Sequence, residues 1–264
     1  MTHTWDPELY DVYADERSRP FVDLLARVRT AGPDAEVRSV VDLGCGPGEL
    51  THGLTRRWPS AQVVGVDSSA AMLVTAARHA GPALRFEQAD LRDWLATADP
   101  VDVLVSNATL QWVPDHLDLL PSLVAAVRPG GCLAFQVPAN LDTAMHTIRR
   151  ELAARVPYAE HTAGIAGPAS REPVEYLRAL TDLGCVVDAW STTYLHVLTG
   201  EDPVLTWASG TGARPTLQAL PQPLRDRFVG EYRERLRQAY PPTDIGVVMP
   251  FRRAFVVAHR PTGS

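Results

Sequence analysis

The sequence predicts an α/β fold: a mostly parallel, seven-stranded sheet with helices on both faces. Three observations predict it. Between residues 38 and 139, short apolar runs alternate with amphipathic helical stretches, as parallel strands covered on both sides require. The first run ends in a turn, LGCGPG, with Gly44, Gly46 and Gly48. Beyond 139 a long strand and a closing strand bracket an insertion, as an antiparallel hairpin completing the sheet would.

Residues 1–34 form an N-terminal helical segment. Asp6 reads as an N-cap with Pro7 at the first helical position, and Phe21, Leu24, Leu25 and Val28 share one face before Gly32-Pro33 stops the pattern. In the core, 38–139, the strands are RSVVDL, AQVVGVD, LRFEQAD, VDVLVSN and GGCLAFQVP. Between them lie helices in GELTHGLTRRW, SAAMLVTAARHA, Leu91 to Ala96 and HLDLLPSLVAAV, and right-handed crossovers make the sheet doubly wound. Residues 140–264 complete it. DTAMHTIRRELAAR is helical, VPYAEHTAGIAGPASRE loop-like, EPVEYLRALTDLG a helix with a glycine stop, and CVVDAWSTTYLHVL a long strand. A helical cap insertion at about 200–243 precedes the last strand, PFRRAFVVAHR. Without internal repeats, the whole reads as one domain, 1–264.

Composition narrows the function. The net charge of −6 carries no basic stripe, so no nucleic-acid partner is expected. No apolar window is long enough to cross a membrane, and the N-terminus lacks a secretory pattern. The three cysteines form no CxxC, which fits reduced thiols in a cytoplasm. All 25 basic residues are arginine; without lysine, Schiff-base chemistry and the phosphate-binding P-loop are both excluded. The histidines, His52 and His116 near helix starts among them, show no ligand spacing, so no metal is expected.

The glycine turn selects the ligand. A dinucleotide fingerprint needs G-x-G-x-x-G, and Glu49 stands where its third glycine belongs. A carboxylate there suits the helix N-terminus but repels a pyrophosphate, which disfavours a nicotinamide-dependent oxidoreductase. Asp67 ends the second run, where a carboxylate accepts both ribose hydroxyls. Asp90 ends the third, placed for an exocyclic adenine amine, with the Leu91 N–H for a ring nitrogen. Asp42 precedes the turn, near where a ligand ammonium would sit. Together they suit a ligand with adenine, ribose and a cationic tail.

This pattern resembles the class I S-adenosylmethionine-dependent methyltransferases, through VVDLGCGPG, GVDSS, QADL, VSNATLQWVPDH and VRPGGCLAFQVP. The resemblance implies their Rossmann-like fold and S-adenosyl-L-methionine as cofactor, with S-adenosyl-L-homocysteine as product. It implies Gly44 and Gly46 against the cofactor's amino acid portion, Asp67 and Ser68 at the ribose, Asp90 and Leu91 at the adenine, and Asn107 near the methionine moiety. WDPELYDVYADERSRP, NATLQWVPDH, VDAWSTTYLHVLTG, SGTGARP and PFRRAF are similar to the trans-aconitate 2-methyltransferase family nearly end to end. That family implies monomethyl esterification of a polycarboxylate. Its acceptor is ionised at neutral pH, so no catalytic base is expected and positioning carries the rate.

A trianion needs guanidinium anchors. The candidates are Arg19, Arg214 and Arg252 or Arg253, which alternate faces on the last strand; Arg253 is favoured. Trp112 and Tyr194 are candidate pocket walls, with Tyr10 and Trp207 beside them. The residues also leave open another acid or natural product as acceptor, a lipid quinone precursor, or a non-catalytic S-adenosylmethionine-binding protein. They leave the oligomeric state open, a monomer being compatible.

Overall fold

The computed structural model describes residues 14–29 and 36–262. The expected Asp6–Pro7 start, Tyr10 and the Gly32–Pro33 stop lie outside them. The chain forms two compact units. The sheet unit takes the residues up to Val137, Ser170–Thr192 and the residues from Arg253; the helical unit takes Pro138–Ala169 and Thr193–Arg252.

The sheet unit begins with α1 (Ala14–Leu25), which runs through Pro20. Then strands and helices alternate: β1 (Ser39–Leu43), α2 (Glu49–Arg57), β2 (Gln62–Asp67), α3 (Ala70–Ala76), β3 (Leu84–Gln88), α4 (Leu91–Thr97), β4 (Val101–Asn107), α5 (Leu120–Ala125) and β5 (Val127–Pro138). All five expected strands form. β5 starts at Val127, upstream of the expected Gly130, and its pairing with β4 shifts register between Val101 and Val103. Later come α8 (Pro173–Asp182), β6 (Val186–Leu198) and β7 (Val247–His259). Glu172 and Glu175 close a capping box at the start of α8, and Gly184, at φ 83°, follows its end.

The strand order is β3-β2-β1-β4-β5-β7-β6. The pairs β1–β2, β2–β3, β1–β4 and β4–β5 are parallel. On β7 the direction reverses: Gly130 N–H donates to Arg260 C=O at 2.8 Å and Ala139 N–H to Arg252 C=O at 2.9 Å, so rising numbers on β5 meet falling numbers on β7. The order turns back between β1 and β4, which opens a crevice at the carboxyl ends of those strands.

Burial explains the apolar runs. Val40, Leu43, Val103, Leu104, Ala134 and Phe135 are all fully buried, each large side chain contributing about 1.5–3 kcal/mol. Phe86 of β3 lies against two glycines: a Cβ on Gly48 would come within 2.7 Å of its ring and one on Gly65 within 2.6 Å. Glycine at both positions is the condition for the ring to pack there.

The helical unit holds α6 (Ala144–Ala153), α7 (Ala159–Thr162), α9 (Pro203–Ser209), α10 (Arg214–Ala219) and α11 (Gln222–Ala239). The segment read as loop after Val156 contains α7, a four-residue turn too short to leave a periodic pattern. The insertion is helical as expected. Tyr232 of α11 and Tyr240, which caps its end, hold the start of α6: Tyr232 donates to the Met145 carbonyl at 2.7 Å, and Tyr240 accepts from the Met145 N–H at 3.1 Å, satisfying a first-turn donor that the helix leaves open. Asp202 pairs with Arg233 at 2.8 Å and Arg237 at 2.6 Å.

Gly65→Ala is expected to lower stability by about 1–3 kcal/mol through overpacking against Phe86. Adding Phe86→Leu is expected to recover most of the loss. Urea unfolding of the single and double variants checks both; a Gly65→Ala protein as stable as its parent contradicts the packing account.

Candidate active site

The glycine turn between β1 and α2 is fixed from β2. The N–H groups of Gly44 and Cys45 both donate to the Val66 carbonyl, at 2.7 and 3.1 Å. The Asp67 carboxylate accepts from Gly46 N–H at 2.9 Å through one oxygen and from Ser69 N–H at 2.8 Å through the other. Gly44, Gly46 and Gly48 all have positive φ, at 79°, 56° and 83°. Only glycine adopts these angles freely, which is why the turn is written in glycine. Gly46 has open space where a Cβ would stand, whereas that position on Gly44 is filled by the Thr109 side chain. The approachable part of the turn is therefore Gly46.

Two acids sit beneath this turn. Asp67 is half-buried, and burial raises its pKa more than the N–H bonds of Ser69, Gly46 and Ser68 lower it. Asp42 is 2% exposed. Thr51 donates to its Oδ2 at 2.7 Å, while Oδ1 has no partner among the described residues. Burial pushes its pKa up to about 7, with Asp67's charge adding to the rise and the Thr51 bond opposing it. A buried carboxylate oxygen without a donor is an unmet demand for a cation or a donor. Asp90 caps α4 by accepting from Arg92 N–H at 2.8 Å, and is exposed; Leu91 is half-buried and Ser68 exposed.

At the end of β4, Ala108 takes φ 53°, and the Gln111 side chain donates to its carbonyl at 2.5 Å. This turn carries Asn107 on one side and Trp112, half-buried, on the other. Asn107 Oδ1 accepts from Gln136 Nε2 at 2.6 Å, and Gln136 Oε1 accepts from Arg253 Nη1 at 3.0 Å. A polar ladder thus crosses β4, β5 and β7. Gln136 is fully buried and Arg253 3% exposed. Because Gln136 donates to the Asn107 side-chain carbonyl, the amide nitrogen is the donor end of that side chain. Sequence reasoning missed Gln136; its signal was a lone polar residue inside the run GGCLAFQVP.

The expected site residues divide between the units. Asp42, Gly44, Gly46, Asp67, Ser68, Asp90, Leu91, Asn107, Trp112 and Arg253 lie at the carboxyl end of the sheet unit's strands. Arg19 is in the same unit on α1, exposed. Tyr194 and Arg214 belong to the helical unit. Tyr194 is buried and stacks on His196, and Arg214 begins α10 half-buried. Of the histidines singled out in the sequence, His52 lies in the first turn of α2 and stacks on His79 with ring centroids 5.4 Å apart. His116 is buried, and Tyr176, which accepts from Arg171 N–H at 3.1 Å, has its hydroxyl proton left for His116 Nε2 at 2.7 Å. Burial lowers the His116 pKa, so the ring stays neutral. Among the described residues, no three His, Cys, Asp or Glu side chains group to hold a metal ion.

Known proteins match this architecture. A methyltransferase-domain model matches residues 40–131. The trans-aconitate 2-methyltransferase of Streptomyces avermitilis is 50% identical, covering 97% of both chains. The chain belongs to the trans-aconitate 2-methyltransferase family. The relative from Streptomyces coelicolor is 48% identical over 99% of this chain and 88% of its own, and that from Mycobacterium tuberculosis 44% over 96% of each. Among solved structures, the Streptomyces coelicolor geranyl diphosphate C-methyltransferase superposes with TM-score 0.53 at 19% identity, covering 96% of this chain and 83% of its own. The YcgJ protein of Bacillus subtilis gives 0.55 at 14%, covering 94% and 100%. These two share the fold. Both resemblances drawn from the motifs, to the methyltransferase class and to this family, hold. No helix among the described residues is long and apolar enough to cross a membrane.

Asp42 makes ligand-free stability depend on pH. Its folded pKa of about 7 lies above the ordinary 3.8, so its contribution is fully present below that lower value, where it is protonated in both states. The contribution is lost as pH rises towards about 7 and levels off beyond, a fall on the order of a few kcal/mol. Asp42→Asn is expected to remove this slope. Thermal unfolding of ligand-free protein across that window checks it; equal slopes in the two proteins would refute the assignment.

Proposed function

We propose that this chain transfers the methyl group of S-adenosylmethionine to one carboxylate of trans-aconitate, giving a monomethyl ester and S-adenosylhomocysteine. The observation that carries the reading is similarity along nearly the whole chain to trans-aconitate 2-methyltransferases, at 50% identity to one of them. The turn region is chemically compatible with the cofactor. Asp42 Oδ1 is a buried acceptor with no donor, suited to an ammonium group, and Gly46 offers a face with nothing in the way.

In this reading Asp67, with Ser68 beside it, accepts the ribose hydroxyls through the lone pairs its backbone bonds leave. Asp90 and the Leu91 N–H bracket the adenine. Asn107 donates its amide N–H towards the methionine moiety, oriented by Gln136. Bound there, the sulfonium supplies an electrophilic methyl group. The acceptor carboxylate is ionised at neutral pH, so the chain needs no base and contributes alignment, worth up to about 7–11 kcal/mol in favourable cases. Arg253 and Arg19 of the sheet unit are the proposed anchors for the carboxylates that do not react. A guanidinium on the attacking oxygen would lower its nucleophilicity, so the anchors belong on the others. Trp112 of the same unit is a proposed wall. A cytoplasmic enzyme acting on a small polycarboxylate, with no nucleic-acid or membrane partner, completes the proposal.

Mass spectrometry of trans-aconitate incubated with the protein and methyl-labelled S-adenosylmethionine tests this, with cis-aconitate and citrate alongside. A labelled monomethyl ester, formed catalytically and preferentially from trans-aconitate, is expected. Cofactor binding without ester would sink the acceptor assignment. Asp67→Ala is expected to raise the KM for the cofactor roughly ten- to hundredfold, the loss of charge-assisted hydrogen bonds. Initial-rate kinetics with each substrate varied in turn check that value.

A further inference from the structure

The helical unit contains a cavity of its own, about 440 Å³, within the size range of small-molecule sites. Helix α6 forms one side, α7 and the chain that follows it to Pro168 another, and Thr216 of α10 contributes a hydroxyl. Its lining includes two cations, Arg149 and Arg150, and no carboxylate.

Arg149 is the unusual group. It is 7% exposed. Its Nη1 donates to Thr216 Oγ1 at 2.8 Å, and its Nη2 lies so close to Gly167 that a Cβ there would be 3.3 Å away. Its Nε is buried with no partner among the described residues. No ion pair to it is found among those residues, and the nearby acid Glu151 is paired with Arg235 at 3.6 Å. The neighbours that bear on its charge are Tyr232 and the repelling Arg150. A buried guanidinium without a counter-charge is strongly disfavoured, and arginine does not escape by losing its proton. His146, another lining residue, is held neutral: burial, Arg149 and Arg150 bring its pKa down to about 4. The positive charge is therefore fixed, and the described residues supply no carboxylate to balance it.

We infer that this cavity binds a small organic di- or tricarboxylate, with one carboxylate on Arg149 and Thr216 and Arg150 as a second cation. The forked guanidinium has an Nε–H free to donate, the geometry that takes a carboxylate bidentately. Ala153, Ala159, Ala163 and Ile165 give the walls an apolar surface for a short carbon skeleton. The inference stands on the surroundings of Arg149 and is independent of the acceptor proposed above.

The test follows the Arg149 side-chain Nε–H resonance in the ¹⁵N-labelled full chain, assigned by its absence from Arg149→Lys. The probes are tricarballylate, trans-aconitate and inorganic phosphate. A saturable shift with a tricarboxylate is expected, with affinity about tenfold above phosphate and weakened several-fold in Thr216→Val. A resonance unmoved by millimolar tricarboxylate, or equal binding of phosphate, overturns the proposal. Should Arg149→Lys fail to fold, Thr216→Val alone decides: unchanged tricarballylate affinity overturns it. Kinetics of Thr216→Val then name the source of the ligand. A raised KM for trans-aconitate at constant kcat assigns the cavity to the methyl acceptor, and an unchanged KM assigns it to another acid. Absence of ester formation would count against the acceptor reading and leave this titration untouched.

Discussion

The Asp67 carboxylate, held between the N–H groups of Gly46 and Ser69, is the interaction on which the site is built. It ties a glycine turn after β1 to the helix start after β2, across the carboxyl ends of two adjacent strands. It adds to the other bonds that fix a turn with three residues in the left-handed region: those to the Val66 carbonyl, Gly48 N–H to the Cys45 carbonyl at 3.2 Å, and the Thr109 hydroxyl to the Gly44 carbonyl at 3.3 Å. Burial raises the pKa of Asp42 beside it, and the charge of the same carboxylate adds to that rise. One group thus shapes the backbone of the turn and bears on the charge state of the buried acid beneath it. Stability is given up here: two carboxylates share a partly buried region, an arrangement that a bound cation would relieve.

The second constraint is the polar ladder from Asn107 through Gln136 to Arg253. A buried glutamine between an amide and a guanidinium is tolerated because both ends of its amide are bonded. The ladder needs the register that pairs Asn107 with Gln136, so β4 and β5 align these side chains as well as their backbones. Its consequence is directional. Arg253 fixes which end of Gln136 accepts, and Gln136 in turn fixes which end of Asn107 donates.

Much of this was legible in the sequence for a physical reason. Strands buried on both faces must be apolar throughout, so VVDL, QVVGVD and VDVLVSN announce themselves, and their last residues mark the edge where ligands bind. Asp42, Asp67 and Asn107 stand out in the sequence because they end or interrupt such runs. Arg253 was separated from Arg252 by strand alternation, and the structure buries Arg253 while leaving Arg252 half-exposed. What was not legible depends on distance or brevity. Helix α7 is one turn long. The Thr109 side chain against Gly44 joins residues far apart in the chain. The Arg149–Thr216 contact joins a helix before β6 to one inside the later insertion, and nothing in RRELAAR distinguishes a buried arginine from a solvated one.

The absence of lysine connects these parts. Every cation in the chain is a guanidinium, permanently charged and shaped for carboxylates. Arg253 and Arg149 therefore keep their charge across the physiological range, and the proposed acceptor, already ionised there, asks for no proton to be moved. Asp42, with its pKa brought to about 7, is the group at the turn whose charge changes in that range. In the proposed function, control by pH therefore falls on the side assigned to the cationic cofactor. A positive group bound beside Asp42 would lower its pKa and favour the carboxylate, which would link ligand binding to proton release.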